Sequence, residues 1–74
     1  MNFMGHDMKF QQRLTEELKA SKYTQKEIAN ILGITESNLT NWKKGENVPS
    51  LETFYKLCIL LDVSADYLLG IDDI

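Results

Sequence analysis

Between Gln25 and Lys44 two helix-length patterns meet at Gly33. A glycine there can end one helix in the left-handed conformation and swing the chain into the next. Thr24 is placed to cap the first segment, and Glu27, three residues on, can reach back to its backbone, a capping box that starts a helix over Gln25 to Leu32. Ile28, Ala29 and Leu32 recur at helical spacing, and Ala29 is small enough to let a crossing helix come close. Ile34 follows the glycine as a hydrophobic plug. Thr35 restarts a helix as its cap, Leu39 and Trp42 form the inner stripe, and Gly45 is placed to stop it. The other side of this second helix is rich in hydroxyl and amide groups.

The remaining segments read as scaffold. Phe10, Leu14 and Leu18, four apart, predict a first helix from about Met8 to Ala20, with Tyr23 stapling the next helix to it. After the loop Gly45 to Pro49, Ser50 caps a fourth helix whose inward residues are expected to be Leu51, Phe54, Leu57, Cys58 and Leu61. Asp62 tolerates the left-handed conformation well enough to end it. Ser64 then caps a short fifth helix with Tyr67, Leu68 and Leu69. No segment alternates with period two, so the expected class is all-α, five helices without strands. The expected division is a flexible tail over 1–7, one domain over 8–70 with the helix-turn-helix at 25–44, and a short tail over 71–74.

With 74 residues the chain has room for a single small core, which leaves no space for a large substrate cavity. The lone Cys58 has no internal disulfide partner and falls in an apolar helix stripe, the pattern of a small core residue in a reducing compartment. No apolar run approaches the ~20 residues that span a membrane, and the N-terminus lacks signal-peptide character. A soluble cytoplasmic protein is expected. His6 has no second ligand at metal spacing, and no paired carboxylates or phosphate-cradling glycine loop are present. The expectation is therefore no enzyme activity, no cofactor, no metal and no small-molecule ligand.

The ordered set Gln25, Ala29, Gly33, Leu39 and Trp42 resembles the helix-turn-helix of the phage repressor and Cro family, also called the xenobiotic response element family. The likeness covers roughly Met8 to Leu69 and runs on through Trp42-Lys43-Lys44-Gly45, Pro49-Ser50-Leu51-Glu52 and Asp66-Tyr67-Leu68-Leu69-Gly70. It implies a compact, lambda-repressor-like DNA-binding domain. The implied function is a transcriptional regulator, a repressor of phage or prophage type, bacterial or phage-encoded and associated with the nucleoid when bound. The helix at 35–44 would enter the major groove. There Asn41 can bond an adenine edge through both amide atoms, Ser37 and Thr40 can serve several bases or a thymine methyl, and Glu36 can accept from the cytosine amino group. The phosphate-contact candidates are Gln25 with the helix N-terminus it belongs to, Lys26, Thr35, Lys43 and Lys44.

Each of these residues has a plainer reading. Glu36 in a first turn complements the helix dipole, Gln25 can be an ordinary exposed residue, and Lys26 and Lys43 can be solvated charges. Asn38 can face DNA or the core edge. Trp42 shares the Leu39 stripe and reads as core, not as a base-stacking platform.

Charge runs against DNA binding, because the net is −3, with eight basic and eleven acidic residues. Its distribution is uneven. Residues 1–45 carry seven basic against five acidic groups and the remainder one against six, that is +2 and −5. A polarised chain can turn its basic end to phosphate, with modest non-specific affinity.

Two departures from the family stand out. Members commonly pair an arginine late in the first helix with a glutamate just after the Trp42 position, and here those places hold Leu18 and Lys43. Losing both partners leaves no buried unpaired charge. Tyr55 and Ile59 on the outer side of the fourth helix, with Ile71 and Ile74 in the tail, form an apolar patch suited to a homodimer. Two copies on a two-fold axis would place their reading helices about 34–36 Å apart on a pseudo-palindromic operator. The alternative is a protein-interaction module or an antitoxin on the same helical scaffold.

Overall fold

The structure, a computed structural model, describes residues 8–71. The tail over 1–7, with His6, and the end of the C-terminal tail, with Ile74, lie outside the described residues. Five helices follow in order: α1 (Phe10–Ala20), α2 (Gln25–Leu32), α3 (Glu36–Lys44), α4 (Leu51–Leu61) and α5 (Ala65–Leu69), with no strand among the described residues.

Each helix sends one side chain to a common centre. Leu14, Ile28, Leu39, Leu57 and Leu68, one from each of α1 to α5, have no exposed surface at all. Burying such a side chain contributes roughly 1.5–3 kcal/mol. Phe10, Leu18, Ala29, Leu32, Trp42 and Cys58 complete the buried cluster, and Phe10 meets Phe54 edge to face at 5.8 Å between ring centres. Through these residues α1 packs on α3 and α5, α2 on α3 and α4, and α4 on α5.

Hydroxyl caps start four of the helices. The side chains of Thr24, Thr35, Ser50 and Ser64 accept from the backbone N–H three residues on, at the heads of α2, α3, α4 and α5. Left-handed residues end the same four helices, among them Asp62 at φ 56°. The first helix is held differently. Lys9 stands at its N-cap without a side-chain cap, and its N–H donates instead to the Leu69 carbonyl at 3.2 Å. Lacking a capping hydroxyl or carboxylate, α1 begins at Phe10 and not at Met8.

Leu51 departs from its expected inward place, being 84% exposed. It lies on the same helix face as Cys58, yet in the first turn of α4, where side chains tilt toward the N-terminus and past the packed region. There it lines an open apolar groove with Val48, Pro49, Met8 and Phe54.

Asp62→Gly should raise stability by up to about 1 kcal/mol, because glycine occupies the left-handed region without a Cβ penalty. Urea unfolding of both chains checks this; a loss of stability would mean that the aspartate side chain holds the α4 end in a way its backbone does not reveal.

Candidate nucleic-acid interface

The site is built on the turn between α2 and α3. At the head of α2 the capping box is complete, with Glu27 N–H donating to Thr24 Oγ1 at 3.1 Å and Thr24 N–H to Glu27 Oε1 at 2.8 Å. At its end Gly33 adopts φ 73°, and its N–H is directed at the Ala29 and Asn30 carbonyls. Ile34 N–H closes the turn on the Ala29 carbonyl at 2.9 Å, and the Ile34 side chain packs against the core. A Cβ on Gly33 would meet nothing within 4 Å. Glycine is needed here for its dihedral alone, not for space.

The head of α3 is a second reciprocal box. Asn38 N–H donates to Thr35 Oγ1 at 3.3 Å, while Asn38 Oδ1 accepts from the Thr35 N–H and from the Thr35 hydroxyl, both at 3.1 Å. The Asn38 carbonyl oxygen is thereby committed to the cap. The Thr35 hydroxyl proton is committed too, so what this corner presents outward is the N-terminal end of α3. Asn at the third helical position is a poor match to the usual Glu or Gln of a capping box, which explains why the sequence pointed Asn38 to DNA or the core edge and not to the cap.

Burial of Leu39 and Trp42 fixes the roll of α3. Residues at 36, 37, 40 and 41 then face away from the core in two rows, Glu36 above Thr40 and Ser37 above Asn41. Glu36 and Ser37 are exposed, Thr40 and Asn41 half-buried. None of these four side chains hydrogen-bonds to the protein among the described residues. Trp42 is buried and cannot serve as a stacking surface.

The phosphate candidates do not form one cluster. Gln25 opens α2 half-buried, with Lys26 exposed beside it. Lys26 shares a shallow hollow between α2 and α3 with Asn30, Ile34 and Glu36. Lys44 is exposed in the last turn of α3, where a cation also complements the helix dipole. Lys43 turns toward α1, over a hollow it shares with Gln12, Glu16 and Lys19. Leu18, in the family's arginine position, is simply part of the core. No charged side chain is buried among the described residues.

Other residues position the site from behind. Gln11 of α1 lies over the Gly45 turn that ends α3, close enough that a Cβ there would stand 2.6 Å from Gln11 Oε1. Arg13 ties α1 to α5: Nη1 donates to the Tyr67 carbonyl at 2.6 Å and the guanidinium sits 4.4 Å from the Tyr67 ring centre. The sequence registered Arg13 only as a positive charge, since its partner lies 54 residues away. Burial pushes the Cys58 thiol above its ordinary range, which disfavours the thiolate a nucleophile needs.

Tyr55 and Ile59 are exposed on α4, at 65% and 62%, and Ile71 at 49%. Leu51, Tyr55 and Ile59, four apart, make an exposed apolar stripe along α4. No helix among the described residues is long and apolar enough to cross a membrane.

Comparison with known proteins places this geometry among others. The Helix-turn-helix family model matches residues 14–68. The HTH-type transcriptional regulator ImmR of Bacillus subtilis is 42% identical over 67 residues, which cover 90% of this chain and 53% of that protein. The cryptic phage CTXphi transcriptional repressor RstR of Vibrio cholerae is 33% identical over 63 residues, covering 85% of this chain and 56% of the relative. The chain thus spans about half the length of the curated relatives it matches. In structure it is similar to the SOS-response transcriptional repressor LexA from Eubacterium rectale, with a TM-score of 0.75 at 24% identity over 82% of this chain and 65% of that one. That likeness bears on the fold alone, and it agrees with the all-α reading.

Thr35→Ala should cost about 1 kcal/mol of stability by removing the cap of α3, and Thr35→Ser should recover most of it. Thermal unfolding followed by circular dichroism measures both; equal stability of all three chains would show that the cap contributes nothing.

Proposed function

Because the chain belongs to the Helix-turn-helix family over residues 14–68, we propose that it is a sequence-specific DNA-binding transcriptional regulator whose reading element is α3. The observation that carries this reading is the outer face of α3: Glu36, Ser37, Thr40 and Asn41 present polar groups without partners among the described residues, on a helix whose roll is fixed by Leu39 and Trp42. A helix of this kind fits the major groove of double-stranded DNA.

Phosphates on either side of the groove would be met by Gln25 and Lys26 at the head of α2, by the capped end of α3 at Thr35, and by Lys44, with Lys43 reaching from the α1 side. These contacts set register and affinity, and the base edges set sequence. The name of the Vibrio cholerae relative, a transcriptional repressor, supports a repressing role, reached by occupying an operator.

One α3 covers only a few base pairs, so a pseudo-palindromic operator bound by a homodimer is the natural arrangement. The exposed pair Tyr55 and Ile59, with Ile71 beyond α5, supplies an apolar pairing surface away from α3.

Binding to duplex, followed by fluorescence anisotropy over a salt series, tests the reading. Affinity should fall steeply with salt through counterion release, and Lys44→Ala should weaken all sequences alike and reduce the slope of log affinity against log salt by about 1. Ile59→Lys should leave binding to a single half-site unchanged and weaken binding to the palindrome. An affinity for duplex that does not respond to salt, or a Lys44→Ala chain with the parent's slope, would contradict the assignment of these contacts.

A further inference from the structure

We propose that Glu36 is the specificity-determining residue of α3, requiring a cytosine amino group at one base of the half-site, and that the rest of the half-site read by this face is A·T. The proposal rests on α3 being the base-reading helix.

Glu36, Ser37, Thr40 and Asn41 carry one carboxylate, two hydroxyls and one amide, and no cation. Guanine offers two acceptors to the major groove, O6 and N7, and is read by the paired donors of arginine or by lysine. The cations of the motif stand elsewhere: Lys26 on α2, Lys43 over α1, and Lys44, which continues the Glu36–Thr40 row, in the last turn of α3, at the far end from Glu36. The first turns of α3 therefore offer guanine neither the paired donors of arginine nor the charge of lysine, only single hydroxyl or amide donors.

What the face has is a group that only accepts. The Glu36 carboxylate set against guanine O6 and N7, or against thymine O4, brings lone pairs onto lone pairs. The cytosine N4 amino group is the matching donor, at the edge of its base pair. Adenine also carries an amino group, but with N7 and the thymine O4 on its two sides. Asn41 supplies both a donor and an acceptor, the pattern that matches adenine N6 and N7, and the Thr40 methyl suits the methyl of thymine.

The placement of Glu36 keeps it available for this role. It is the first residue of α3, exposed, with no hydrogen bond or ion pair to the protein among the described residues. Lys26 borders the same hollow without closing a salt bridge on it, and its charge offsets the repulsion between the carboxylate and nearby phosphates. A first-turn acid also favours the helix dipole. That role affects stability and has no effect on which base is chosen, so the two can be separated.

Sequences selected by the parent and by Glu36→Gln from a random duplex pool at one salt concentration, with thermal unfolding of both chains, decide the matter. The parent should recover an A·T half-site with a single C·G pair in fixed orientation, preferred about 5- to 150-fold, the span of one good base contact. Glu36→Gln should keep the A·T positions and lose the cytosine preference, glutamine being both donor and acceptor. In the parent's site, 7-deazaguanine opposite that cytosine removes the N7 acceptor and should leave affinity unchanged. A consensus identical for both chains, or a loss of affinity with 7-deazaguanine, overturns the role of Glu36 while leaving α3 as a reader. Failure of the parent to enrich any sequence overturns the reading of α3 itself, and the proposal with it.

Discussion

The burial of Leu39 is the constraint from which the rest of the molecule follows. It belongs, with Leu14, Ile28, Leu57 and Leu68, to one buried cluster to which every helix contributes a side chain with no exposed surface. In a domain of this size total stability is of the order of 5–15 kcal/mol, and emptying one such position typically costs about 2–5 kcal/mol. The roll of α3 is therefore not free. With Leu39 and Trp42 turned inward, Glu36 and Ser37 face solvent and Thr40 and Asn41 lie half-buried at the edge of the outer face.

Local chemistry then sets where α3 starts and ends. The Thr35 and Asn38 box holds its head, and the left-handed Gly45 turn, overlain by Gln11, holds its tail. Nine residues between two such stops make a short rigid rod. The α2 turn at Gly33 aims it, and Ala29, buried with almost no side chain of its own, lets α2 lie close. Arg13 and the Lys9 backbone close α1 against α5, so the first and last of the described helices are tied together behind α3.

The boundaries of α2 to α5 were legible because their signals are local: a hydroxyl three residues before an orphan amide, a residue that accepts positive φ, an apolar stripe of period near 3.6; the start of α1, which has no such cap, was not. Asp62 shows how far such reasoning reaches, since it takes the left-handed place that a glycine often fills. Long-range partners were not legible. Nothing adjacent to Arg13 announces the Tyr67 carbonyl, and nothing in the α4 stripe distinguishes Leu51 from Leu57; the first lies beyond the end of the packed region and the second at its centre. Asn38 was obscured because a capping asparagine and a base-reading asparagine look alike in sequence. Lys43 was grouped with Lys44, and only the turn of the helix separates them.

The proposed interface is small and close to neutral, the charge of Lys26 standing against that of Glu36, and is carried by Gln25, Lys26 and the outer rows of α3, on a chain of net charge −3. A titration of the isotopically labelled chain with a duplex it has selected, followed residue by residue by nuclear magnetic resonance, tests this most directly. Amide shifts are predicted to move at Gln25, Lys26 and residues 35–44, with the fully buried centre at Leu14, Ile28 and Leu57 unchanged. Shifts confined to the Leu51, Tyr55 and Ile59 stripe, with α3 silent, would contradict the claim that the α3 face meets the duplex.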